Sequence, residues 1–356
     1  MTTMMEEILQ QPGALTDLRK YYESPGAIPH KTLRNFVSHW PPVVIFTGMG
    51  ASLFAAYPAQ AYLTARGVRA LVWETAELLH HHLPVVGRDT LVVAISQSGE
   101  TIEITRLLQR LPRDVSLAAA VNVERSTLAR RSDLLLPMMA GRQATVSTKT
   151  YMCSVAALMY LAFSIAGEPH RHLTQVLLQA IRAQERILDQ HEQLIQPTVE
   201  FFDHPPYVAL MSRGPDLSTA MQSALTLKEA VRLAAEPISA GQFRHGPIEI
   251  VNPTHRYVIF ARQSPPGTRA KKTDPGKLML RLANDIQSHG GRVLVFTDLP
   301  FAEIPNVRVV PVESMRLGLG TLVDTLYMQL LAHELAVRAG LEPGRFWIAA
   351  GVTREE

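Results

Sequence analysis

The sequence predicts an α/β protein made of two tandem, doubly wound parallel-sheet domains. Short apolar runs alternate with segments whose apolar residues recur at three- and four-residue spacing, which is the rhythm of strand–helix–strand units. Near the middle of the chain this succession starts again, so the fold is an internal repeat. The chain has 356 residues, enough for two domains that each bury a core.

The elements follow in order. About 40 residues precede the first strand, too few for a further domain, and they read as a helical segment. Val43-Val-Ile-Phe-Thr47 is a strand that runs into the Gly-rich turn Gly48-Met-Gly-Ala-Ser52, followed by a helical pattern over 52–66. Thr90-Leu-Val-Val-Ala-Ile95 is a second strand, ending in Ser96-Gln-Ser-Gly-Glu-Thr101 and opening into a helix over 101–111. Val115-Ser-Leu-Ala-Ala-Ala-Val121 and Leu135-Leu-Pro137 supply further strands. The apolar stretch 153–165 carries Ser154, Tyr160 and Ser164. It is too short and too interrupted to span a bilayer and reads as a buried helix. One long polar helix over 175–196 joins the halves.

The second round echoes the first. Tyr207-Val-Ala-Leu-Met-Ser-Arg-Gly-Pro-Asp216 has the shape of the first strand and its turn. Tyr257-Val-Ile-Phe-Ala-Arg-Gln-Ser264 echoes 91–98, Arg292-Val-Leu-Val-Phe-Thr297 echoes 115–121, and Val309-Val-Pro311 echoes 135–137. Helical patterns cover 220–234, 278–289 and 319–339. The expected domains are 1–40 (N-terminal helical segment), 41–170 (first sheet domain), 171–200 (linking helix), 201–340 (second sheet domain) and 341–356 (C-terminal tail over the active site).

Composition excludes several function classes. The hydrophobic share of 47% is ordinary for a globular protein, and a net charge of +3 without a Lys/Arg block disfavours nucleic acid or a membrane as partner. The single cysteine, Cys153, rules out an internal disulfide framework and fits a reducing, cytoplasmic setting. The start, Met1-Thr-Thr-Met-Met-Glu-Glu7, has no cationic or long apolar segment and does not read as a signal peptide.

In open parallel sheets, ligands sit at the carboxyl ends of strands where the strand order reverses. Gly48–Ser52 and Ser96–Thr101 are both expected there, the glycines of the first turn letting backbone approach a ligand closely, and Gly50 and Ser52 are candidate binding residues. A strand feeding a helix N-terminus offers free N–H groups and the positive end of the helix dipole, so an anion can bind without lysine. Hydroxyls of Ser96, Ser98 and Thr101 add donors for phosphate oxygens. The alternative is a plain serine N-cap. Leu53 stands where a dinucleotide fingerprint needs its third glycine, and no Walker sequence is present, so no nucleotide cofactor is expected. In the second copy the corresponding turn, Arg262-Gln-Ser-Pro-Pro-Gly267, loses N–H donors to proline, which leaves one phosphate site per chain. His80, His81 and His82 are adjacent, do not share one helix face, and read as surface rather than metal ligands.

Ile95-Ser-Gln-Ser-Gly-Glu-Thr101, Val146-Ser-Thr-Lys149, Leu227-Lys-Glu229 and His245-Gly-Pro247 occur in that order within the paired repeat. With these motifs the chain resembles the sugar isomerase (SIS) family. It is similar in particular to the isomerase half of glutamine–fructose-6-phosphate aminotransferase, and to amino-sugar-phosphate deaminases and fructosamine-phosphate deglycases. The resemblance covers nearly the whole chain. It implies that Ser96, Gln97, Ser98 and Thr101 hold a sugar phosphate, that Ser147 adds a hydroxyl, and that the backbone of Thr145 lines the sugar site. It implies Glu229 as catalytic carboxylate, and His245 as the ring-opening histidine supplied across a homodimer. No cofactor or metal is implied. On their own, a Lys-Glu pair on an amphipathic helix is an ordinary solvated face and a histidine before Gly-Pro an ordinary turn residue.

The chain also departs from the family pattern. Relatives carry a lysine in the tail that forms an imine with the keto sugar; here no lysine follows Lys277, and Ala350 takes that place. Thr226 replaces a second lysine one turn before the glutamate, and Met49-Gly50 stands where hydroxyl residues are common. A glutaminase half with its N-terminal cysteine is not expected, position 2 being Thr. The expected activity is that of an enzyme on an amino-sugar or ketosamine 6-phosphate, a deaminase or deglycase with a ketose–aldose shift. The alternatives are a non-catalytic sugar-phosphate sensor, or an isomerase or aminotransferase subunit fed ammonia by a separate glutaminase.

Overall fold

A computed structural model describes residues 1–28, 43–263, 274–302 and 304–348. Two parallel five-stranded sheets with flanking helices make up the fold. The chain divides into two compact units, one of Leu9–Ile181 and one of Arg182–Arg345 with Met1–Ile8.

In the first unit the strands are β1 (Val43–Gly48), β2 (Arg69–Glu74), β3 (Thr90–Ser96), β4 (Ser116–Val121) and β5 (Leu134–Pro137). Their order across the sheet is β2-β1-β3-β4-β5, all parallel. β3 is buried at all seven positions, as a central strand covered on both faces must be, and this explains its unbroken apolar run. One face packs Ile45, Val92, Ala94 and Ala119 against Ile104 and Leu107 of the helix Ile102–Arg110. The helix Lys149–Ile165 covers the sheet as well, and every residue of it except Ser164 is buried.

The second unit repeats the plan. Its strands are β6 (Val208–Ser212), β7 (Ala235–Ser239), β8 (Arg256–Ala261), β9 (Arg292–Thr297) and β10 (Val307–Pro311), ordered β7-β6-β8-β9-β10. Ala209, Met211, Ile259 and Val295 pack against Met279, Leu282 and Ile286 of the helix Pro275–Ser288. In each unit the chain steps outward from the first strand to an edge strand and then back across, so the order reverses between β1 and β3 and between β6 and β8.

Several boundaries differ from expectation. β2 and β7 are edge strands that the apolar runs do not reveal, because their residues are half-exposed and include Arg69, Glu74, Glu236 and Pro237. The helix expected over 52–66 is two, Ala51–Phe54 and Tyr57–Thr64, with Pro58 starting the second. The single linking helix is likewise two, Arg171–Asp189 and His191–Phe202, parted at Gln190. The helix expected over 220–234 is Leu217–Thr226 continued by one π-helical turn, Leu227–Val231, and ended by Arg232 in the left-handed region. Ala240-Gly241 belongs to a short helix, Ala240–Phe243, capped by Ser239. Ser264, the Pro265-Pro266 pair and Ala350 lie outside the described residues.

Candidate functional site

The carboxyl ends of β1 and β3 meet at the strand-order reversal of the first unit. Gly48 closes β1, where a Cβ would come 2.9 Å from the carbonyl oxygen of Ile95 on β3. Gly50 has φ +50°, and the Ser52 amide donates to Met49 O at 3.1 Å. The Gly48–Ser52 turn therefore lies directly beside the end of β3.

The Ser96–Thr101 loop is held by its own polar atoms. Ser96 Oγ accepts the Gly99 amide at 3.0 Å, and Ser98 Oγ accepts the Glu100 amide at 3.2 Å. Both hydroxyls act as acceptors there, so each keeps its own hydrogen for an incoming anion. Gly99 has φ +66°, and a Cβ on it would collide with Ser126 Oγ. The Leu128 amide donates to Gly99 O at 3.2 Å, and the Thr127 amide to Glu100 Oε1 at 2.6 Å. A plain serine cap is not what forms. Thr101 precedes the helix Ile102–Arg110, its side chain caps nothing, and its Oγ1 is buried without a partner. The amides of that first turn are left without a side-chain acceptor at the positive end of the dipole.

A third loop follows β5 and is linked to the Ser96–Thr101 loop through Asn122. Thr145 and Ser147 are half-buried in it, and Ser147 Oγ lies 3.0 Å from Thr150 Oγ1. Asn122, at the end of β4, ties the loops together. Its amide donates to Gln97 O at 3.1 Å, its Oδ1 accepts the Ala140 amide at 3.0 Å, and its Nδ2 donates to Gly141 O at 2.7 Å. Sequence reasoning passed over Asn122; the available signal was a lone amide side chain at the carboxyl end of a central strand. Lys149 is structural: its buried ammonium donates to Gln10 Oε1 at 2.6 Å and Arg142 O at 2.8 Å.

Glu229 and His245 belong to the second unit. Glu229 sits on the π-helical turn, a feature frequent at functional sites. It is half-buried, its Oε2 has no partner, and burial pushes its carboxyl up to about 7. Thr226, one turn earlier, is buried and donates its hydroxyl to Gln222 O at 2.9 Å, so no cation from that position offsets the burial. His245 is exposed, between the Ala240–Phe243 helix and Gly246 at φ +114°. No hydrogen bond joins it to Glu229.

His80 and His81 are exposed, and the His82 ring stacks on Trp73 with centroids 4.8 Å apart. Among the described residues, no three His, Cys, Asp or Glu side chains gather as metal ligands would, and no helix is long and apolar enough to cross a membrane.

Residues 41–164 match the family model described as SIS domain. The chain is 26% identical over 356 residues to glutamine–fructose-6-phosphate aminotransferase (isomerizing) of Bartonella quintana, and 28% identical over 354 residues to that of Neisseria meningitidis. Each alignment covers 95% of this chain and 56% of the relative, so the chain spans little more than half the length of these proteins. The fold matches the C-terminal domain of glucosamine-fructose-6-phosphate aminotransferase from Francisella tularensis with a TM-score of 0.85 at 21% identity, covering 97% of this chain and 98% of that one. It matches glucosamine-6-phosphate deaminase from Thermotoga maritima with a TM-score of 0.72 at 19% identity, covering 99% and 100%.

Proposed function

We propose that this chain, a SIS-domain protein, is an enzyme acting on an amino-sugar or ketosamine 6-phosphate. One observation supports this above the others. The uncapped first turn of the helix Ile102–Arg110 faces a loop whose Ser96 and Ser98 hydroxyls keep their hydrogens, with the Thr101 hydroxyl unpartnered beside them. Such a group of neutral donors suits a phosphate dianion. Gly50, Ser52, Gln97, Thr145 and Ser147 are assigned to the same ligand, toward its sugar.

Moving a carbonyl between neighbouring carbons requires a base that takes a carbon-bound proton and returns it one carbon along. We assign this to Glu229, whose burial raises it to about 7, where a carboxylate is a stronger base. His245 is assigned to ring opening, and its exposure on the protomer suits delivery across a homodimer. In the absence of a cation at 226, and with the substrate already carrying an amine, release of that amine coupled to the ketose–aldose shift is the favoured reaction.

A panel of fructose 6-phosphate, glucosamine 6-phosphate and fructosamine 6-phosphates, with ammonia and amine release followed, tests the assignment. Glu229→Gln is expected to lower turnover by about 10²–10⁴-fold, the usual contribution of a general base, while leaving sugar-phosphate affinity unchanged in calorimetry. Retained turnover would refute the role of Glu229. Binding without turnover in the unsubstituted protein would make it a sensor.

A further inference from the structure

We propose that Asn122 is a positioning residue that sets the Thr145–Ser147 loop relative to the phosphate loop, and so governs affinity for the sugar rather than for its phosphate. The inference rests on the function proposed above and extends it to a residue outside every motif of the chain.

Asn122 is the first residue beyond β4. The ladder between β4 and β5 ends one residue later on the neighbouring strand, where the Met138 amide donates to Val121 O at 2.9 Å. Past that point the backbone turns sharply, with Met139 at φ +53° and Gly141 at φ +66°. The Asn122 side chain takes over where main-chain pairing stops. Its Oδ1 and Nδ2 present one acceptor and one donor to Ala140 N and Gly141 O, as the next strand residue would. The Asn122 amide meanwhile holds Gln97 O. One residue thus spans the loops after β3 and β5.

Two further side chains close the same loop. Gln143 Oε1 accepts the Thr150 amide at 2.9 Å, and Gln143 Nε2 donates to Val146 O at 2.9 Å. Lys149 holds Arg142 O. These bonds fix the loop onto the start of the helix Lys149–Ile165, whose N-cap, Thr148, makes no side-chain cap. Asn122 and Gln143 are thereby committed to backbone and Lys149 to Arg142 O and Gln10 Oε1, and the loop is ordered before any ligand arrives. Ordering in advance removes an entropic cost from binding.

The phosphate loop does not depend on the Asn122 side chain. Ser96 Oγ, Ser98 Oγ, Leu128 N and Thr127 N hold it from other directions, and the bond to Gln97 comes from a backbone amide that any residue but proline retains. Removing the side chain therefore frees the Ala140–Gly141 end of the loop that carries Thr145 and Ser147, and leaves the phosphate loop in place. Aspartate is no substitute, because a carboxylate lacks the donor for Gly141 O and sets charge against that carbonyl.

The test compares the unsubstituted protein, Asn122→Ala and Asn122→Asp in the full chain. Inorganic phosphate affinity is read by calorimetry, and KM and kcat with the best hexose phosphate of the panel. Both variants are expected to raise KM about tenfold, the loss of one or two hydrogen bonds, with kcat and inorganic phosphate affinity unchanged. Asn122→Asp keeps the acceptor for Ala140 N, so it provides the same reading if the alanine variant fails to fold. An unchanged KM in a folded variant overturns the proposal alone, as does an equal loss of phosphate affinity. An unsubstituted protein that binds no hexose phosphate overturns it together with the function it rests on.

Discussion

The two strand-order reversals of this chain share a topology and differ in what fills them. At the end of β3 stand Ser96, Ser98 and Thr101, neutral groups with hydrogens to give. At the end of β8, in the place of Ser96 by the repeat, stands Arg262. Its guanidinium makes a two-point pair with Asp324, Nη2 to Oδ1 at 2.5 Å and Nε to Oδ2 at 3.2 Å, and its Nη1 donates to Glu313 O at 2.7 Å. The pair is almost wholly buried, and a Cβ on Gly320 would collide with the guanidinium. Asp216 lies in this charged neighbourhood, its Oδ1 unpartnered and its carboxyl pushed up to about 7 by burial, with Asp324 and Asp298 adding to the rise. The first crevice holds donors that still need an acceptor, and the second supplies its own counter-charge. A conserved sheet order fixes where a ligand can sit, and the residue type at one strand end decides whether the protein occupies that place itself.

The contrast can be broken most forcefully at Asp324. Asp324→Ala leaves a buried guanidinium unpaired, so a loss of about 3–5 kcal/mol of stability is expected, read from the urea midpoint. Replacing Arg262 and Asp324 together with leucine should recover most of it. Inorganic phosphate binding by the folded fraction should not move. A loss of phosphate affinity in either variant would mean that the second crevice also takes the ligand.

Gly99→Ala probes the other side. A left-handed backbone and a collision with Ser126 Oγ together should cost about 1–3 kcal/mol, and should lower phosphate affinity by more than the stability loss explains. Full retention of affinity would show that the loop's shape is not what holds the anion.

The smallest effect sharpens the contrast through protons. The donors of the first crevice do not titrate between pH 7 and about 9, and a sugar phosphate is already a dianion there, its second pKa being about 6, so affinity for the sugar phosphate should stay flat over that range. Glu229 is raised from 4.5 to about 7, hence protonated below that pH and basic above it. Turnover should therefore climb as pH rises through about 7. For stability the sign is opposite: the folded state disfavours the charged carboxylate, so a cost grows between pH 4.5 and 7 and remains above it. Glu229→Gln should thus be no more stable than the unsubstituted protein at pH 4 and more stable at pH 8. A flat pH–rate profile would remove Glu229 from proton transfer.

Legibility in the sequence followed burial and locality. β3, β8 and β9 could be read as apolar runs because both of their faces are covered. β2 and β7 could not, because Arg69 and Glu74 bound the one and Glu236 and Pro237 interrupt the other, at positions an edge strand tolerates. The breaks at Gln190 and before Pro58 were lost inside apolar periodicity that continues across them. In the crevice, Ser96 to Thr101 were legible because the motif is contiguous. Asn122 and Lys149 were not, because their partners lie at Gln97, Ala140, Gly141 and Gln10, far from them in the chain.

From the amino acids alone came the repeat, the parallel sheets and the short hydroxyl-rich turn, since all of these are set by local periodicity and residue type. Only the folded chain decided that Thr101 caps nothing, that Arg262 is sealed by Asp324, and that Glu229 ends on a π-turn with an unpartnered oxygen. Those outcomes depend on which distant groups arrive within hydrogen-bonding reach and on how much water packing removes. Neither is a property of any short stretch of sequence.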